Sequence, residues 1–123
     1  MKKYCNTHFE IIGQGNYQEI IDKLELTPEK IILDDNCFKL CFGFVSRDDI
    51  TWENISDILY ETIKSVESKS IELALLKQKY NLKYNIPIES NSVDISNVLI
   101  LDGPLITFLH STGTEKDLSW HFF

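Results

Sequence analysis

Between residues 37 and 46 the chain reads CFKLCFGFVS, with Phe38, Leu40, Phe42 and Phe44 at every second position. A period of two puts all four on one side of an extended strand, whereas a helix would scatter them around its axis. Large aromatic and aliphatic side chains on one face need cover, so this stretch demands a sheet with a layer packed against it. The next segment can supply that layer. Ile55, Ile58, Leu59, Thr62, Ile63 and Val66 recur at helical spacing, with Thr51 placed to cap and Ile50 and Ile55 placed as a hydrophobic staple.

The rest of the chain repeats this logic. Residues 4–12 alternate, with Cys5, Thr7, Phe9 and Ile11 on one side and Tyr4, Asn6, His8 and Glu10 on the other. Asn16 and Glu19 fit a capping box ahead of a stripe of Tyr17, Ile20, Ile21 and Leu24, and Pro28 ends that helix near Leu26. KIIL predicts a short strand before a turn at Asp34–Asn36. Ser68 or Ser70 opens a second helical stretch, IELALLKQKY. Leu82, Tyr84, Ile86 and Ile88 alternate as a strand in which Pro87 implies an edge or a bulge. NVLILD predicts a strand, Asp102 caps a helix that Gly113 ends, and KDLSWHFF closes the chain with Leu118, Trp120 and Phe122 inward. The predicted order is β-α-β-β-α-α-β-β-α-β. It implies an α+β fold, a mainly antiparallel sheet with helices packed on one face, in one domain over residues 1–123.

The charge narrows the partners. The net charge is −7, and residues 1–61 carry 12 acids against 6 bases, leaving 7 against 6 in residues 62–123. An acidic surface argues against nucleic acid and anionic membrane. The start, MKKYCNTHFE, lacks the apolar core of a signal peptide, and three cysteines form no dense framework. Both points predict a cytoplasmic protein.

Motif chemistry is sparse. Cys37 and Cys41 lie about 13 Å apart if the strand is extended, too far to share a zinc ion or form a disulfide. Buried or half-buried structural cysteine is the expectation, with Cys5 on another strand free to approach one of them. Cys5 and His8 point to opposite faces, so they make no thiol–imidazole pair within that strand. His8, His110 and His121 match no zinc-hydrolase spacing, and His8 and His121 are expected on outer strand faces. GQGNYQ lacks the third glycine of a dinucleotide loop, since Gln18 occupies that place. Neither a catalytic residue, a cofactor nor a metal site is predicted.

One surface feature is less ordinary. Glu53, Asp57 and Glu61 stack at four-residue spacing along one helix face, with Asp48 and Asp49 just before. Like charges so spaced cost a few tenths of a kcal/mol per pair. A solvated helix face is the ordinary role; a docking stripe for a basic partner is the functional one.

FEIIGQGNYQEIIDKLELTPEKI, LALLKQKYNLKYNIPI and LILDGPLITFLHSTGTEKDLSWHFF together resemble the DUF4279 family of small bacterial domains of unknown function. The tryptophan and KGD-like turn that such domains often carry after the position of Lys30 are absent. The resemblance implies an α+β domain and no reaction. Small bacterial domains of this kind are often encoded beside toxins, so the expected function is non-enzymatic binding, as an immunity protein or antitoxin that covers a basic toxin domain through Asp48, Asp49, Glu53, Asp57 and Glu61. The alternatives are a small enzyme or ligand-binding domain with a pocket at the sheet edge, favoured by a cluster of Cys5, His8 and an acid, and a regulatory homodimer paired through the strand containing Pro87.

Overall fold

The computed structural model describes residues 4–48, 55–90 and 103–120, with side chains at 4–48, 57–90 and 107–114. Five strands, β1 (Cys5–Gln14), β2 (Lys30–Asp34), β3 (Cys37–Arg47), β4 (Lys83–Ser90) and β5 (Glu115–Trp120), form one sheet in the order β2-β3-β1-β4-β5. All neighbours are antiparallel except β4 and β5, which run parallel. Helices α1 (Tyr17–Leu24), α2 (Ile55–Ile63), α3 (Ser70–Tyr80) and α4 (Gly103–Thr112) pack on one face, with a 3-10 turn at Glu67–Lys69 leading into α3. The fold is α+β.

The helix-facing side of the sheet is the core. Phe9, Ile11, Leu40, Phe42, Tyr84, Ile86 and Ile88 meet Ile20 and Leu24 of α1, Ile58, Leu59 and Ile63 of α2, Leu73 of α3 and Phe108 of α4. Phe9 is central: its ring lies 5.8 Å from those of Tyr84 and Phe108 and 6.5 Å from that of Phe42. The Tyr84 hydroxyl donates to the Leu73 carbonyl at 2.5 Å, so the one polar atom this ring brings inward is satisfied.

Asn16 caps as expected but through Gln18 rather than in a box with Glu19, and α3 starts after Lys69 with no side-chain cap bond. The Asn16 side chain accepts from the Gln18 N–H at 3.0 Å and caps α1, which ends at Glu25 in a left-handed conformation (φ 56°). Gly113 (φ 66°) follows α4 as the terminating glycine. Thr51, Ile50, the NVLILD strand, Asp102, His121 and Phe122 lie outside the described residues.

Two expectations are corrected. Phe44 does not share the core face with Phe38, Leu40 and Phe42; it is 47% exposed on the opposite side. The strand containing Pro87 is not an edge, because β4 lies between β1 and β5. Toward β1 the pairing passes from Thr7–Ile88 to Glu10–Asn85 and leaves Pro87 without a partner, so no bond to β1 is lost there, while on the β5 side Pro87 stands opposite Asp117. β2 is the edge on the other side.

Candidate functional site

The reversal of Phe44 has one cause. The β1–β3 register pairs Phe9 with Phe42 but Thr7 with Val45, so one residue of β1 opposes two of β3. Gly43 sits in the extra position with φ 63°, as in a bulge built on a left-handed glycine. A Cβ at Gly43 would run into the Thr62 carbonyl of α2, so this position needs glycine for space as well as for conformation. The Glu29 carboxylate braces the bulge, accepting the N–H groups of Gly43 at 3.0 Å and Phe44 at 3.4 Å. Beyond Gly43 the alternation is inverted: Val45 turns toward the core and Phe44 turns outward.

That inversion completes a cluster on the sheet face opposite the helices. Phe44 stacks on the His8 ring, with centroids 4.6 Å apart and planes 24° apart. His8 Nε2 lies 3.1 Å from Glu10 Oε2. The Asn85 side-chain amide donates to Glu10 Oε1 at 3.2 Å. Cys41 joins them: one donor atom each from His8, Glu10 and Cys41 lies within 4.8 Å of the others. Register explains the meeting, because Lys30, Cys41, Glu10 and Asn85 are successive partners across β2, β3, β1 and β4.

The electrostatics are those of a protected polar group. Glu10 is only 6% exposed. Burial works against its charge, but hydrogen bonds from His8 and Asn85 and the nearby Lys39 ammonium outweigh it and hold the carboxyl below its ordinary range. Burial and the Glu10 charge push the Cys41 thiol up, against the opposing pull of Lys30 and Lys39. Cys41 on its own is therefore a thiol at neutral pH, not an activated nucleophile. Cys5 faces the core, where burial pushes it up to about 11.

Neither pair weighed from spacing forms the cluster. Cys37 lies exposed at the start of β3, with its sulfur 3.9 Å from the Gln14 amide, and Cys5 is buried on the far side of the sheet. The combination of His8 with Glu10 and Cys41 was missed, although Gly43 inside an aromatic strand is a recognised signal of a bulge.

The acidic stripe is only partly described. Asp48 and Asp57 are exposed, as is Glu61, whose carboxylate lies 3.4 Å from the Arg47 guanidinium on β3. Asp49 and Glu53 lie outside the described residues. A cleft of about 430 Å³, lined by residues such as Gln14, Cys37, Tyr80 and Lys83, opens at one end of the sheet, apart from the His8 cluster.

β2 presents a different surface. All five of its residues are exposed, and its only described strand neighbour is β3. Ile31 (41% exposed) and Leu33 (62% exposed) share the face of their partners Leu40 and Phe38 but, unlike them, stay exposed. Ile32 is exposed on the other side.

No family model, no curated protein and no solved structure matches the chain. The resemblance to DUF4279 domains rests on its quoted segments alone.

Proposed function

We propose that this chain is a non-enzymatic, cytoplasmic protein-binding domain, most concretely an immunity protein or antitoxin that neutralises a toxin by covering it. The observation that carries the reading is the β2 edge, which has no second strand neighbour among the described residues and where Ile31, Ile32 and Leu33 are exposed in succession. An uncovered apolar edge strand invites aggregation unless a partner occupies it. Strand addition to β2 supplies backbone hydrogen bonds, and the aliphatic side chains supply buried area.

The partner is basic. The chain carries a net charge of −7, and most of the excess lies in its first half, where β2 and the Asp48–Glu61 acids are found. A second copy of the same acidic chain gains no charge complementarity, whereas a basic toxin domain gains both association rate and specificity. Asp48, Asp49, Glu53, Asp57 and Glu61 steer the encounter in this reading, and β2 holds the complex.

The test is binding kinetics against the product of the adjacent gene at two salt concentrations. Asp57→Lys with Glu61→Lys should lower the on-rate several-fold and leave the thermal melt unchanged, because both side chains are exposed and the Arg47–Glu61 pair is worth less than about 1 kcal/mol. Leu33→Lys should instead raise the off-rate. An on-rate insensitive to both salt and charge reversal would remove the acids from the interface. Self-association abolished by Leu33→Lys would make the β2 partner a second copy. Failure of the wild type to bind the adjacent product would sink the immunity reading.

A further inference from the structure

We propose that His8, Glu10 and Cys41 form a binding site for a divalent transition-metal ion of the zinc class, with one coordination position left open. The three side chains offer an imidazole nitrogen, a carboxylate oxygen and a sulfur, all within 4.8 Å of one another. Zinc bonds to such donors measure about 2.0 Å for nitrogen and oxygen and about 2.3 Å for sulfur. Tetrahedral angles then put the donor atoms roughly 3.3–3.6 Å apart. The His8–Glu10 separation of 3.1 Å is already close to that, and the separations to Cys41, at most 4.8 Å, would have to shorten when an ion binds.

Three features distinguish this group from a chance surface cluster. It is built on the central strand of the sheet and its neighbour, so its backbone geometry is fixed by ladder pairing rather than by a loop. Its members are protected: Glu10 and Cys41 are buried and His8 half-buried. It also has supporting contacts of the kind that orient metal ligands. Buried Asn85 holds Glu10 Oε1 and so leaves Oε2 turned toward His8 Nε2. Phe44 stacks on the imidazole and restricts its rotation.

The donor set selects the ion. Calcium and magnesium take oxygen ligands, so a sulfur and a nitrogen argue against them. A mixed set of sulfur, nitrogen and oxygen suits zinc, and cobalt(II) can stand in for it as a probe. A thiolate and a carboxylate together balance a +2 ion. On binding, the Cys41 thiol hydrogen and the hydrogen that His8 Nε2 shares with Glu10 give way to the metal. The thiol hydrogen leaves to solvent as a proton, and the imidazole stays neutral by carrying its hydrogen on Nδ1. With three protein ligands, the fourth position is open to water or to a donor from a partner. The site lies on the sheet face opposite the helices and does not depend on the proposed β2 contact.

The experiment is a titration of the reduced, chelator-stripped full chain with zinc and, separately, with cobalt(II). The expected result is one ion per chain and a thiolate-to-cobalt charge-transfer band in the near ultraviolet. Cys41→Ser should abolish the band, whereas Cys37→Ser, four residues along the same strand and exposed, should leave it intact. His8→Gln, at a half-buried position that tolerates a polar side chain, should weaken zinc binding at least tenfold with the fold retained by circular dichroism. The proposal is overturned if the wild type binds neither ion stoichiometrically, or if the charge-transfer band survives Cys41→Ser.

Discussion

Phe42 and Phe44 stand two residues apart on β3 and belong to different parts of the molecule. Phe42 is 3% exposed and packs against Phe9 in the helix-facing core. Phe44 is half exposed and lies flat on His8 on the other face. Residue type and spacing alike assign both rings to one face, and only Gly43 between them separates the two. The contrast extends to the faces themselves. The helix side is held by interchangeable apolar contacts, where shape and volume decide the energy. The far side around Glu10 is held by specific polar partners, each of which leaves another exposed to cost if removed.

The largest effect should come from the core ring. Phe42→Ala is expected to lose roughly 3–5 kcal/mol in urea melts, the usual range for deleting a buried phenylalanine. A loss under about 1 kcal/mol would mean that Phe42 does not face the core and would erase the contrast with Phe44.

The bulge itself comes next. Gly43→Ala forces a Cβ into a left-handed conformation, at roughly 1–2 kcal/mol, and drives it into the Thr62 carbonyl. With the overpacking added, the expected loss is about 2–4 kcal/mol. A near-neutral result would show that β3 can straighten at no cost, and the inversion of faces would then be optional.

On the polar face, Asn85→Ala removes one of the two hydrogen bonds that hold the buried Glu10 carboxylate. The expected loss is about 1–3 kcal/mol, with the Glu10 pKa, followed by NMR titration, moving up toward its ordinary value because a hydrogen bond to the charged form is gone. An unmoved pKa would mean that His8 and Lys39 alone hold the charge.

The smallest stability effect is expected at Phe44. Phe44→Ala should cost less than about 1 kcal/mol, since the ring is half exposed. It should nevertheless change the chemical shifts of His8, because the stacked ring is lost. A loss comparable to that of Phe42→Ala would put both rings in one core after all.

The sequence by itself determined most of the frame. Strict alternation fixed the strand faces of residues 4–12, 37–42 and 82–88, and the helical stripes named Ile20, Leu24, Ile58, Leu59 and Ile63 as core. These signals are legible because they depend only on the local period of the backbone, which every residue of a regular element shares. Asn16 and Gly113 were equally legible, since a helix terminus is satisfied by residues next to it in the chain. What happens after Gly43 was decided by tertiary structure. A single extra residue inverts every later side chain, and whether it is accommodated depends on the partner strand, on the Glu29 carboxylate that braces it and on the Thr62 backbone pressed against it. The same holds for the placing of Pro87 in an interior strand and for the position of β2 at the edge of the described sheet, because strand order is a choice among distant segments. The meeting of His8 and Glu10 with Cys41 and Asn85 is of this kind as well. Glu10 lies 31 positions from Cys41 and 75 from Asn85 in the chain, and only the register of three strands brings these side chains together on one face.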